Sequence, residues 1–159
     1  MPPQATHRVG AMAVNADFVG RTYPPQGPYA VDAPTLARFA SAVGSDDPVH
    51  TSAEAARAAG YRDVIAPPTF AVTLAQRCDA QLIEDPDAGI DYSRVVHGEQ
   101  RFVHHRPITA GDDVLGTLTV DTVREAGGHA MVTTRTELST TDGEPLCTST
   151  STIVIRGGE

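Results

Sequence analysis

The chain has 159 residues, 40% of them apolar and 20% charged, with a formal net charge of −8. That length and balance fit one globular domain with a real core and exclude a disordered chain. No apolar run approaches the roughly 18 residues of a membrane span, the first residues lack the apolar segment of a secretion signal, and no basic cluster offers a nucleic-acid face, so a cytoplasmic protein is expected.

The first 13 residues read as a flexible tail, with Met12 an alternative start, and residues 14–159 as a single domain. A strand is expected near Tyr29. Residues 32–43 have a helix signature: Asp32 or Ala33 as cap, Pro34 in the first turn, a stripe of Leu36, Phe39, Ala40 and Val43, and Gly44 as the stop. A short helix over 53–59 follows, capped by Ser52 and closed by Gly60. A third helix is expected to begin at Pro67-Pro68 and run to Glu84. Phe70, Leu74, Cys78 and Leu82 form its stripe, widened by Ala71, Val72 and Ala75, so much of its surface is buried. The cysteines Cys78 and Cys147 both read as buried free thiols.

The period then changes from helical to alternating. Residues 95–97 and 100–105 are two candidate strands with a bend or bulge at Gly98. Residues 114–123, 129–139 and 145–155 follow, joined by the hairpin sequences REAGG and TTDGE. These last three strands form an antiparallel meander. One amphipathic helix cannot bury itself, and an antiparallel sheet curved round it can, so the fold class is α+β.

The chemistry concentrates in GSDDPVH, residues 44–50. Asp and His on one loop reach a common small volume. A neutral imidazole is a good base near pH 7, and a nearby carboxylate can orient it or handle a second proton. The unpaired amides and positive dipole of a helix starting at Pro67 suit a developing oxyanion. Together these parts fit proton abstraction next to a carbonyl. Asp, Pro and Ser are also common turn formers, so the residue types alone leave a structural loop open.

His97 beside Gly98 fits packing or an interface. His104 and His105, adjacent on a strand, are expected to point to opposite faces, each a lone exposed histidine. No spacing matches a zinc or iron site, so no metal is expected. No glycine-rich phosphate loop or G-x-S-x-G motif is present.

The motif G-S-D-D-P-V-H, the following A…A…GY…VIAPPTF and the later DYSRVVHGEQRFVHHRPITAGDDV together resemble the MaoC-like hydratases and dehydratases. Within these, the chain is most similar to the actinobacterial FAS1-like dehydratase type, related to small subunits of the mycobacterial (3R)-hydroxyacyl-thioester dehydratase. The likeness runs from about residue 15 to 155. It implies a hot-dog fold, a sheet wrapped round one long helix, and no cofactor.

Placed on the family motif G-D-x-N-P-x-H, His50 takes the catalytic histidine, Pro48 the proline and Asp47 the asparagine. Ser45 stands where the family has its catalytic aspartate, so Asp46 or Asp47 would have to supply the carboxyl. Pro68 stands where the family has a glycine whose amide binds the thioester carbonyl. Proline has no N–H, so the Thr69 amide or another early helical amide would serve instead.

The resemblance implies a hydro-lyase interconverting a (3R)-hydroxyacyl and a trans-2-enoyl thioester on CoA or acyl carrier protein. Its catalytic residues would be His50, Asp46 and Asp47. Its substrate contacts would be Ser45, Pro67, Pro68, Thr69, Phe70 and Leu74, the last two lining the acyl chain. A second reading is a non-catalytic acyl-binding subunit that stabilises a catalytic hot-dog partner. A third, acyl-thioester hydrolysis, needs a carboxylate on the central helix or facing it, and residues 70–81 offer only Asp79. Each reading carries a homodimer or heterodimer, because an open sheet edge invites pairing.

Overall fold

A computed structural model of the chain describes residues 14–158. The expected tail, residues 1–13, and the alternative start at Met12 lie outside them. The first strand, β1, is Gln26–Ala30, and α1 is Ala33–Ala42. Asp32 caps α1 by accepting the Thr35 amide at 2.7 Å. Leu36 and Ala40 are buried, but Val43 lies past the helix end and is 50% exposed, so the core-facing stripe is shorter than expected.

Helix α2 is Ala53–Ala58, with the Ser52 hydroxyl accepting the Ala55 amide. Helix α3 is Ala71–Ile83, four residues shorter at its start than the sequence suggests. Residues 67–70 form a turn instead, closed by the Phe70 amide on the Pro67 carbonyl at 3.0 Å. Proline suits a first helical turn, but the residue before a proline is pushed out of the α region. With two prolines in sequence the second constraint prevails, and α3 starts only at Ala71.

Strand β2 is Val95–His104, one strand where two were expected. Gly98 does form a bulge, since the pairing with β5 shifts between His97 and Glu99. The ladder continues across it because a Cβ at Gly98 would sit 3.2 Å from the Thr152 carbonyl, a space glycine leaves open. Strands β3 (Asp113–Ala126), β4 (His129–Thr140) and β5 (Pro145–Ile155) form the meander. The β3–β4 turn is Gly127-Gly128, both at positive φ, the backbone a tight two-residue hairpin requires.

The sheet order is β1-β3-β4-β5-β2, antiparallel at every pairing. Alternate residues of β3 and β4 are buried, so the sheet has one core face, and α3 lies against it. Two apolar groups divide the helix: Phe70, Ala71 and Leu74 pack with Leu36, Val114 and Leu146, while Cys78 and Leu82 pack with Phe18, Leu118 and Val132. This is the α+β, hot-dog arrangement. Both cysteines are free and buried, and burial pushes each thiol up to about 11. The edge strand β2 exposes Val96 and Val103.

The helix touches the sheet most closely at Gly116. A Cβ there would lie 2.5 Å from Cys78 Sγ and 3.2 Å from Leu138 Cδ2. We expect Gly116→Ala to destabilise the fold by about 1–3 kcal/mol through overpacking. Cys78→Ala in the same chain should recover part of that loss. Urea unfolding of the two single variants and the double variant measures both terms.

Candidate functional site

Gly44, at positive φ, ends the α1 segment and turns the chain into residues 45–50. The Asp47 carboxylate accepts the Val49 amide at 3.1 Å and caps the single 3-10 turn Pro48–His50. That turn drives His50 inward until it is 7% exposed. Its Nδ1 lies 2.8 Å from the Ile65 carbonyl oxygen. A carbonyl only accepts, so Nδ1 carries the proton and a neutral ring keeps its lone pair on Nε2. The Ile65 amide in turn donates to the Val49 carbonyl at 3.1 Å, so residues 49–50 are clipped to Ile65 at two points.

A further set of bonds holds Ile65. It bridges Thr109 as an isolated β pair, flanked by Ala66 N–H to Ile108 O at 2.7 Å and Ala110 N–H to Val64 O at 2.8 Å. The Asp112 carboxylate accepts the Thr109 amide at 2.8 Å and both terminal nitrogens of Arg106 at 2.8 and 2.9 Å. Arg62 adds a second cation at 3.2 Å. Burial pushes the Asp112 carboxyl pKa up, but Arg106, the Thr109 amide and Arg62 together outweigh it and hold the group below the ordinary carboxylate range.

His50 opens on a cavity of about 610 Å³ whose wall includes Asp47, Tyr61, Pro67, Pro68, His104 and His105. The structure therefore brings His50, Asp47, Pro67 and Pro68 together. Ser45 and Asp46 do not line this cavity, and Asp46 is exposed. Thr69 is exposed at the turn beyond Pro68, and among the described residues its amide has no hydrogen-bond partner. Phe70 and Leu74 are core residues that line a different cavity.

His104 and His105 were expected on opposite faces. Both line the His50 cavity, because β2 ends at His104 and the chain bends at His105, beyond which alternation no longer applies. His104 stacks on Phe102, and His105 Nε2 lies 3.2 Å from the Thr148 hydroxyl. The signal for them was Pro107, which cannot donate to the ladder and so keeps the strand from running on past the two histidines.

A second cavity of about 700 Å³ lies between α3 and the β5–β2 side of the sheet, lined by Asp79, His97, Tyr92 and Ser151 among others. Asp79 thus lines a different cavity from His50. Burial raises its carboxyl pKa to about 6, against the opposing effects of the Thr134 hydroxyl at 3.2 Å and of His97. An unfolded aspartate ionises near pH 4. Between about pH 4 and 6 the unfolded state has released a proton the folded state keeps, so stability falls as pH rises through that window. We expect Asp79→Asn to be more stable than the parent by about 2 kcal/mol above pH 6 and nearly equal to it at pH 4. Chemical denaturation at pH 4.5 and 7.5 tests this; an equal difference at both pH values would refute it.

The profile described as "FAS1-like, dehydratase domain region" matches residues 17–149. A UPF0336 protein of Saccharopolyspora erythraea is 49% identical over 146 residues, 92% of this chain and 94% of that one. A chain of the truncated HadBC (3R-hydroxyacyl-ACP dehydratase) complex from Mycobacterium tuberculosis superposes with a TM-score of 0.78 at 33% identity, covering 87% of this chain and 97% of that one. The (R)-hydratase of A. caviae involved in PHA biosynthesis shares the fold, with a TM-score of 0.67 at 18% identity over 88% of this chain and 96% of that one. With its sheet wrapped round α3 and His50 held at a cavity beside the 67–70 turn, the chain belongs to the FAS1-like dehydratase family of MaoC-like hot-dog proteins.

Proposed function

We propose that the protein is a (3R)-hydroxyacyl-thioester dehydratase, working equally in the hydration direction on a trans-2-enoyl thioester. The observation that carries this reading is the Nδ1–Ile65 carbonyl bond, which fixes the His50 ring and leaves Nε2 as the base at the cavity. In dehydration Nε2 takes the C2 proton, the electron pair forms the C2=C3 double bond, and the C3 hydroxyl leaves as water with one added proton. Asp47 is the carboxyl on the cavity wall suited to handle that proton, its Oδ1 being held by the Val49 amide. The Thr69 amide, with no protein partner among the described residues, lies just outside the cavity wall, one residue beyond the lining Pro68, and is the nearest candidate donor for the enolate oxygen in place of the missing amide at Pro68. The thioester would be carried by CoA or acyl carrier protein.

A second reading is an acyl-binding subunit of a heterodimer. It is favoured by Ser45, a residue without a carboxyl standing outside the cavity wall, and by the likeness to a chain of a dehydratase complex. The two readings separate in one assay. The purified chain alone is followed by loss of enoyl absorbance on trans-2-enoyl-CoA thioesters of several lengths. Turnover supports the dehydratase; saturable binding without turnover, restored by a second hot-dog subunit, supports the accessory role.

A further inference from the structure

The cavity lined by Phe70 and Leu74 is a groove of about 550 Å³ between the end of β1, α1 and the first half of α3. Its floor is apolar: Val31 and Leu74 are buried, and Phe39 and Phe70 meet edge to face at 5.4 Å. Its walls also contain two arginines, Arg38 from α1 and Arg77 from α3.

Both guanidinium groups are exposed, and neither forms an ion pair among the described residues. Seven other arginines in the chain do. Arg77 is held over the Tyr29 ring at 4.9 Å, and Arg38 donates to the Thr35 hydroxyl at 3.1 Å. Asp32, whose charge is felt at Arg38, is committed to the Thr35 amide. In a chain of net charge −8, two cations at one groove without an ion pair among the described residues, Arg38 only partly offset by the nearby Asp32, make a local attractive potential for an anion.

The ligand class follows from this combination. An acyl chain alone would cover the floor and leave both arginines unused. A bare inorganic anion would use the arginines and leave the floor wet. A phosphate attached to a compact branched hydrocarbon uses both, because guanidinium forks bind several phosphate oxygens while the apolar part meets Phe39, Phe70 and Leu74. The 4′-phosphopantetheine arm has that structure: its phosphate is one methylene away from a carbon bearing two methyl groups. Its far end is the thiol that carries an acyl thioester. The groove and the His50 cavity also flank a single turn, with Pro68 lining one and Phe70 the other.

We infer that the Arg38–Arg77 groove binds the phosphate end of the 4′-phosphopantetheine arm that delivers the thioester to the His50 cavity. This deepens the dehydratase reading above and rests on it. The arm occurs in CoA and on carrier proteins, and the phosphate chemistry is common to both.

Calorimetric titration of the full chain with 4′-phosphopantetheine and with pantetheine is the test. Phosphopantetheine should bind about tenfold tighter or more, the scale of one charge-assisted contact. Arg77→Gln and Arg38→Gln should each remove most of that preference, and Arg77→Lys should keep part of it. Both positions are exposed, so unfolding midpoints should be unchanged. Equal affinity for the two compounds, or a preference that survives in both glutamine variants, overturns the proposal. CoA and a phosphopantetheinylated carrier protein are titrated in parallel. The one whose affinity falls about tenfold in Arg77→Gln is the natural source, and no fall with either counts against the groove. Because these readouts are of binding, a chain that binds phosphopantetheine through the arginines yet hydrates nothing refutes only the dehydratase reading. Turnover with an unchanged KM in both glutamine variants refutes only the groove.

Discussion

His50→Asn should reduce kcat/KM for enoyl-thioester hydration by about a thousandfold, in the middle of the range for loss of a general base, while the protein remains folded. Asparagine is chosen because its amide nitrogen can replace Nδ1 as donor to the Ile65 carbonyl, which lies 2.8 Å away. The variant therefore keeps the clip between the loop and Ile65 and removes only the basic Nε2. His50→Ala removes both, and leaving a buried carbonyl without its partner should cost a further 1–2 kcal/mol or so of stability. If both variants lose activity and only the alanine form loses stability, the chemical role of the ring is separated from its structural one. An asparagine variant with parental kcat/KM would remove His50 from the reaction, and the proton would have to be taken by another group on the cavity wall.

Much of this arrangement is legible in the sequence wherever the cause is local. Asp32 and Ser52 cap helices through amides three residues away, so their effect is readable from spacing. The Gly127-Gly128 turn and the alternation on either side specify a hairpin without reference to the rest of the chain. His50 stands out because its motif is contiguous. The rest depends on contacts that sequence spacing does not encode. The partner of His50 is a backbone carbonyl fifteen residues away, and a carbonyl is the same at every residue. The turn at 67–70 sets two valid rules for proline against each other, and only the geometry shows which prevails. The spacing of Phe70 and Leu74 shows that they share a helix face, but not that this face meets α1 and a groove separate from the His50 cavity. Two departures from the family motif, Ser45 and Pro68, were visible in the sequence. What the fold adds is their surroundings: Asp47 on the cavity wall, and a Thr69 amide without a partner among the described residues.

Asp112→Asn should have the largest effect on stability, about 3 kcal/mol at pH 7, the lower end for breaking a buried ion pair. The side chain of Asp112 is 3% exposed and neutralises Arg106 and Arg62 while accepting the Thr109 amide. Asparagine has the same shape but no charge, and one of its two acceptor sites becomes a donor facing a guanidinium. Arg106 keeps its contact with Glu144, which moderates the cost. The loss must also depend on pH. The folded-state pKa of Asp112 is depressed, so its contribution is fully present above the unfolded value near 4 and disappears as pH falls through the folded value. The gap between parent and variant should therefore be wide at pH 7 and close below about pH 4. Glu144→Gln, on the exposed side of the same arginine, should leave stability almost unchanged. Because Asp112 fixes Thr109, Thr109 pairs with Ile65, and Ile65 orients His50, the Asp112 variant should also lose hydration activity at temperatures where it remains folded. That loss should appear mainly in kcat, because the thioester-binding walls remain while the base is no longer held in place. Asp112→Asn with reduced stability and unchanged kcat would show that the loop holds His50 without help from this network.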